Sequence, residues 1–120
     1  MKPFIQATLE RQSLRLQELD AQLSDEHVTQ DLDRYRRLTK EHAELSEVIG
    51  LFRTYEQRAN DLKEAQTWLS DPDMAEFAEQ EQALATADLE RLDQAIQLLL
   101  IPKDPDDARN AFVEIRAGTG

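Results

Sequence analysis

From Leu32 to Leu69 the chain carries a stripe that recurs at steps of mostly alternating three and four: Leu32, Tyr35, Leu38, His42, Leu45, Ile49, Phe52, Tyr55, Ala59, Leu62, Gln66 and Leu69. Only a helix brings positions so spaced to one side. Unbroken, it is roughly 60 Å long at about 1.5 Å per residue. The steps slip near Leu32 and Phe52, and Gly50 sits inside the run, where glycine costs about 1 kcal/mol relative to alanine. Tertiary packing is expected to override that cost. A chain of 120 residues is one domain by length, so this rod must be covered by neighbouring helices.

Two such neighbours are legible. A first helix is predicted from Pro3, well placed at a helix start, to about Leu23, with Ile5, Leu9, Leu16, Leu19 and Leu23 on one stripe. Ser24-Asp25-Glu26-His27 reads as a turn, and Thr29 or Asp31 caps the long second helix. Ser70-Asp71-Pro72-Asp73 punctuates the chain. Asp71 is expected to cap a third helix with Pro72 at its first position. Met74, Phe77, Ala78, Ala85, Leu89, Leu92, Ile96 and Leu99 form its apolar face. That helix must end before Pro102, because the residue preceding proline avoids helical geometry. Short connections make sequential helices antiparallel. The predicted fold is therefore all-α: a three-helix antiparallel bundle dominated by a long helical hairpin of the second and third helices.

The last twenty residues change character. Pro102-Lys103-Asp104-Pro105-Asp106-Asp107 reads as a stiff, solvated connector. Ala111, Val113, Ile115 and Ala117 then alternate with Phe112, Glu114 and Arg116, a strand period. No other segment offers this strand a partner, and a strand alone leaves its ladder groups unpaired. The expectation is a helical domain at 1–101, followed at 102–120 by a linker and an orphan strand belonging to a further domain.

Composition narrows the function classes. The absence of cysteine excludes disulfides and thiolate metal sites. Three glycines, 6% aromatics and 32% charged residues fit a helical protein. The N-terminus has no apolar signal core and no segment is a membrane span, so a cytoplasmic protein with no membrane partner is expected. The net charge of −11 is uneven: residues 1–69 hold 13 acids and 10 bases, and residues 70–107 hold 11 acids and two bases. The acidic region would repel phosphate and suits a basic protein surface, with Glu76, Glu79, Asp88 and Asp93 as the candidate partner face. Its plain alternative is a solvated helix face.

Chemistry is harder to find. The Glu-x-x-His signature of di-metal bundles is absent, since Thr39 and Ser24 stand three before His42 and His27. His42 is read as a packed or partly exposed imidazole, and His27 as a turn residue. No serine lies in a nucleophile elbow. Arg34, Arg36, Arg37 and Lys40 form the only basic cluster and could touch RNA phosphates. Pairing of Arg37 with Glu41 and Lys40 with Glu44 is the favoured reading. Trp68, Phe52, Tyr55 and Phe77 are read as core or hairpin-tip packing. No cofactor, metal or catalytic residue is assigned, and the chain is read as non-enzymatic.

The tail carries a sharper signal. Leu98-Leu99-Leu100-Ile101, then Pro102, Lys103, Asp104, Pro105, Asp106 and Asp107, a strand, and Arg116-Ala117 before Gly118, Thr119 and Gly120 closely resemble a known junction. It is the one joining the first and second domains of bacterial class I peptide chain release factors. The connector and the Gly-Thr-Gly ending look more like the type that reads UAA and UAG than its UAA/UGA-reading sister. The resemblance implies translation termination. In that family a tripeptide of the second domain reads the stop codon in mRNA, and a Gly-Gly-Gln motif of the third promotes hydrolysis of peptidyl-tRNA. Neither motif occurs here, so no codon-reading or catalytic residue carries over. The family's first domain reaches toward the stalk base of the large ribosomal subunit and the translational GTPase of recycling, which are the implied partners. The connector would let the helical domain swing as a unit. The competing class is an unrelated acidic helical-hairpin scaffold or co-chaperone.

Overall fold

The computed structural model describes residues 1–101; the connector and strand expected at 102–120 lie outside the described residues. Three α-helices account for nearly all of it: α1 (Pro3–Leu23), α2 (Leu32–Trp68) and α3 (Ala75–Leu100). A short 3₁₀ turn, Val28–Gln30, precedes α2.

Local chemistry explains most boundaries. Pro3 opens α1, where a missing N–H costs nothing. Asp31 caps α2, accepting a hydrogen bond from the Arg34 backbone N–H at 3.1 Å, with Asp33 in the first turn. α3 ends at Leu100, and Ile101 is extended (φ −72°, ψ 131°), as a residue before proline must be.

The start of α3 differs from expectation. Asp71 turns its carboxylate onto the Asp73 N–H at 2.9 Å, and its carbonyl accepts from Met74 N–H at 3.0 Å. Asp71-Pro72 therefore closes the hairpin loop, and the helix opens three residues later on Met74, which caps it without a side-chain bond. The turn read at Ser24–His27 continues into the 3₁₀ turn. It tucks Val28 beneath Leu19 and Leu38, where these residues make a small buried cluster.

The slip in the stripe near Phe52 has a structural meaning: α2 carries two faces for two partners. Its N-terminal half covers α1 with Leu38, Leu45, Ile49 and Phe52. Its C-terminal half meets α3 on a different stripe that includes Arg58, Leu62 and Ala65, while Ala59 and Gln66 of the expected stripe are exposed. The two faces overlap at Val48–Phe52. There Ile5, Leu9 and Leu16 of α1 and Ile96 of α3 converge on Val48, Ile49 and Phe52, and the molecule is three helices deep. On α3 the buried positions Ala78, Ala85 and Leu92 are seven apart, the repeat of shallow-angle helix packing. Phe77 falls off this face and is 60% exposed. Truncating a fully buried side chain at the convergence, such as Leu9 or Ile49, would cost about 2–5 kcal/mol.

α2 runs unbroken through Gly50. A Cβ added there would meet no atom within 4 Å. The glycine thus contributes only its backbone entropy cost, and the packing on either side carries the helix across it. Gly50→Ala is expected to stabilise the domain by about 0.5–1 kcal/mol, read as a higher urea midpoint at unchanged slope.

Candidate interaction surface

Polar contacts between helices fall on the flanks of the two apolar seams. On the α1–α2 seam the Arg15 guanidinium forks onto Glu41, with Nε donating to Oε2 at 2.8 Å and Nη2 to Oε1 at 2.9 Å. Arg15 also reaches Glu18, 3.3 Å away on its own helix. One turn along, His42 Nε2 lies 2.6 Å from Asp20 Oδ1, so that nitrogen carries the proton. His42 is half-buried, as its place on the stripe implied, and His27 sits exposed in the turn.

On the α2–α3 seam one cation serves three acids. Arg58 Nη1 donates to Asp61 at 2.8 Å and to Glu81 at 3.1 Å. Its Nε lies 2.9 Å from Asp88 Oδ2, an ion-pair distance without hydrogen-bond alignment. Glu81 and then Asp61 hold the guanidinium firmly in its charged form, raising its pKa. Gln57 and Arg58 in turn depress the Asp61 carboxyl below its ordinary value. An arginine at an inward position was not read from the sequence. The signal was there in the steps between Arg58, Leu62 and Ala65.

The four candidate partner residues divide into two pairs. Glu76 and Glu79 are exposed at the hairpin tip. Glu79 lines an open groove of about 510 Å³ with Leu69, Gln82, Ala83 and Thr86. Around the tip Trp68 (46%) and Phe77 (60%) are open to solvent, so these two aromatics lie at the tip without being buried there. Asp88 is drawn into the Arg58 network and also meets Arg91 Nη2 at 3.4 Å. Asp93 is half-buried. Its Oδ2 accepts from Gln97 Nε2 at 3.2 Å, and its buried Oδ1 has no hydrogen-bond partner among the described residues. The tip is thus acidic and partly apolar, whereas the shaft acids have intramolecular work.

The basic cluster also departs from expectation. Glu41 is taken by Arg15 across the helix interface, so Arg37 does not pair with it. Arg36 pairs with Asp33 at 3.6 Å. Among the described residues, neither Arg37 nor Lys40 makes an ion pair, and both are exposed. Among the described residues there is also no group of three or more His, Cys, Asp or Glu side chains that could hold a metal, and no helix is long and apolar enough to cross a membrane.

Comparison with known proteins gives the family of this cysteine-free helical hairpin and its shorter companion helix. The chain belongs to the PCRF domain family, whose model matches residues 12–120. A protein named peptide chain release factor 1 from Acidovorax sp. (strain JS42) is 52% identical across all 120 residues. Proteins of the same name from Variovorax paradoxus (strain S110) and Polynucleobacter necessarius subsp. necessarius (strain STIR1) are 52% and 46% identical over the same span. In each case the chain spans only 33% of the relative's length.

Two stability outcomes follow from the seams. Bonding to Arg15 depresses the Glu41 pKa below its ordinary 4.5. Its contribution is therefore present above about pH 4.5 and lost as pH falls through the lower folded value. The pair is over a third exposed, so the contribution is at most about 1 kcal/mol. Glu41→Gln should lower the urea midpoint at pH 7, and the gap from the parent should close in acid. Arg58→Leu should lower the midpoint because three carboxylates then face one another. Added salt, which screens that repulsion, should recover part of this loss and do less for the parent chain.

Proposed function

We propose that residues 1–101 are the helical N-terminal domain of a translation termination factor, and that residues 102–120 lead into its codon-reading domain. The identity that spans all 120 residues of a chain matched to release factor 1 proteins carries this reading. Such a factor works in the cytoplasm on the ribosome. It recognises UAA or UAG and triggers hydrolysis of peptidyl-tRNA through domains beyond Gly120. The helical domain neither reads codons nor catalyses release; it positions the factor and communicates with neighbours.

Its partner is the stalk base of the large subunit or the translational GTPase of recycling. The feature that favours the hairpin tip as the docking point is its mixed character. Glu76 and Glu79 offer charge to a basic protein surface, while Trp68 and Phe77 offer apolar area that is already desolvation-ready. Asp88 contributes by holding the shaft that carries the tip through Arg58, whereas the bond from Gln97 to Asp93 lies within α3.

Glu76→Lys with Glu79→Lys in the intact factor is expected to slow GTPase-stimulated recycling several-fold and to leave single-turnover peptide release unchanged. Reversal of Asp88 should instead lower stability, because it breaks the Arg58 network. Unaltered recycling in the tip variant would remove the tip from the docking surface.

A further inference from the structure

The large apolar side chains left exposed near the hairpin tip are not scattered. Phe77 and Leu84 (61% exposed) each stand one residue before a buried alanine, Ala78 and Ala85. They therefore repeat at the same seven-residue step, about 100° around α3. The Arg58 network shows which flank of the hairpin they occupy. Arg58 draws Asp61 of α2 and Glu81 and Asp88 of α3 to one side of the seam. Phe77 precedes Glu81 by four residues and Leu84 precedes Asp88 by four, about one turn each, so both lie on that side. On α2, Trp68 follows Asp61 by seven residues, about two turns, and lies there too. Three exposed apolar side chains from two helices thus share one flank. Glu79, two residues on from Phe77, falls on the other flank, where it lines the groove with Gln82 and Thr86.

The flank is bounded and charged. Seven residues beyond Leu84 the stripe reaches Arg91, which meets Asp88 at 3.4 Å and ends the apolar part. Around the three apolar side chains stand four carboxylates, Asp61, Glu64, Glu81 and Asp88, against two cations, Arg58 and Arg91. Glu64, one turn before Trp68, is exposed and makes no ion pair among the described residues. A second copy of this chain would set these carboxylates against themselves, whereas a cationic surface complements them. Phe77 and Leu84 are about 10 Å apart along the axis. That is the repeat which a second helix, packed at a shallow angle, can follow.

We propose that the flank formed by Trp68, Phe77 and Leu84 is the docking face for a lysine- or arginine-rich amphipathic helix of a partner protein, laid along the outside of the α2–α3 seam. The apolar side of that helix covers the three side chains, and its cations meet Glu64 and the carboxylates around Arg58. The Arg58 network already ties α2 to α3, so the face is formed before the partner arrives and little ordering opposes binding. This role presupposes the docking function proposed for the hairpin tip, and adds the flank used and the chemistry the partner presents.

Trp68 is the only tryptophan, so its emission reports on the face directly. The probe is a helical peptide with leucine at heptad positions a and d and lysine elsewhere. At physiological salt it should bind the 120-residue chain saturably, shift Trp68 emission to the blue and shield it from acrylamide. Leu84→Gln, a change at an exposed position, should weaken binding about tenfold. Glu79→Lys, on the other flank, should leave binding unchanged. Peptides with glutamate in place of lysine, or glutamine in place of leucine, should leave the emission unmoved. Circular dichroism checks that each variant remains helical. Binding that Leu84→Gln does not weaken, or that the glutamate peptide reproduces, overturns the proposal. Weakening by Glu79→Lys and not by Leu84→Gln also overturns it, since docking then belongs to the opposite flank while the tip keeps its role. Failure of the tip reading itself shows separately, as unaltered recycling in the Glu76→Lys with Glu79→Lys factor.

Discussion

Everything in this domain depends on α2 presenting two faces at once. A single straight stripe would bury one partner and leave the other unsupported. Instead the face toward α1 and the face toward α3 are offset around the helix and overlap only at Val48, Ile49 and Phe52. That overlap is where all three helices meet, and it holds three of the five buried side chains of α2. Away from it the molecule is two helices thick, and each seam is a hairpin of its own.

This geometry explains where the polar interactions sit. A two-helix seam cannot hide its flanks, so each is closed by charged side chains that keep their heads near water. Arg15 with Glu41 closes the α1 seam, and Arg58 with Asp61, Glu81 and Asp88 closes the α3 seam. Such pairs add little stability individually. Their value is positional: a forked guanidinium against carboxylates fixes the azimuth of one helix relative to the other. In a chain with net charge −11, the consumption of arginines in the seams also sharpens the contrast between the ends. Among the described residues, Glu76 and Glu79 at the hairpin tip and Arg37 and Lys40 in the N-terminal half of α2 make no ion pair.

The charge map links fold to function. A rigid antiparallel hairpin carries its tip far from the point where the chain leaves at Ile101. Contacts made at the tip can therefore act at a distance on whatever follows. The PCRF family model spans residues 12–120, and the role proposed for the hairpin tip rests on this geometry.

The sequence by itself determined the three helices, the bounds of α1, the start of α2 to within Thr29 or Asp31 and the end of α3, because these rest on local chemistry: a proline, a capping side chain, a period of 3.6. It also held the family signal, concentrated in Pro102–Asp107 and Gly118–Gly120. Only the tertiary structure decided which way each charge turned. Arg37 and Arg15 both had Glu41 within reach in principle, and packing of α1 gave it to Arg15. Asp88 and Glu76 looked alike as members of one acidic face, and the register of α3 against Arg58 separated them. Trp68 and Phe77 were apolar residues near a turn, and among the described residues no third helix reaches the tip to bury them. The slip at Phe52 was visible as an irregular step, but its cause, a change of partner along one continuous helix, is a long-range fact. Periodicity reports that a face is buried; it does not report against what.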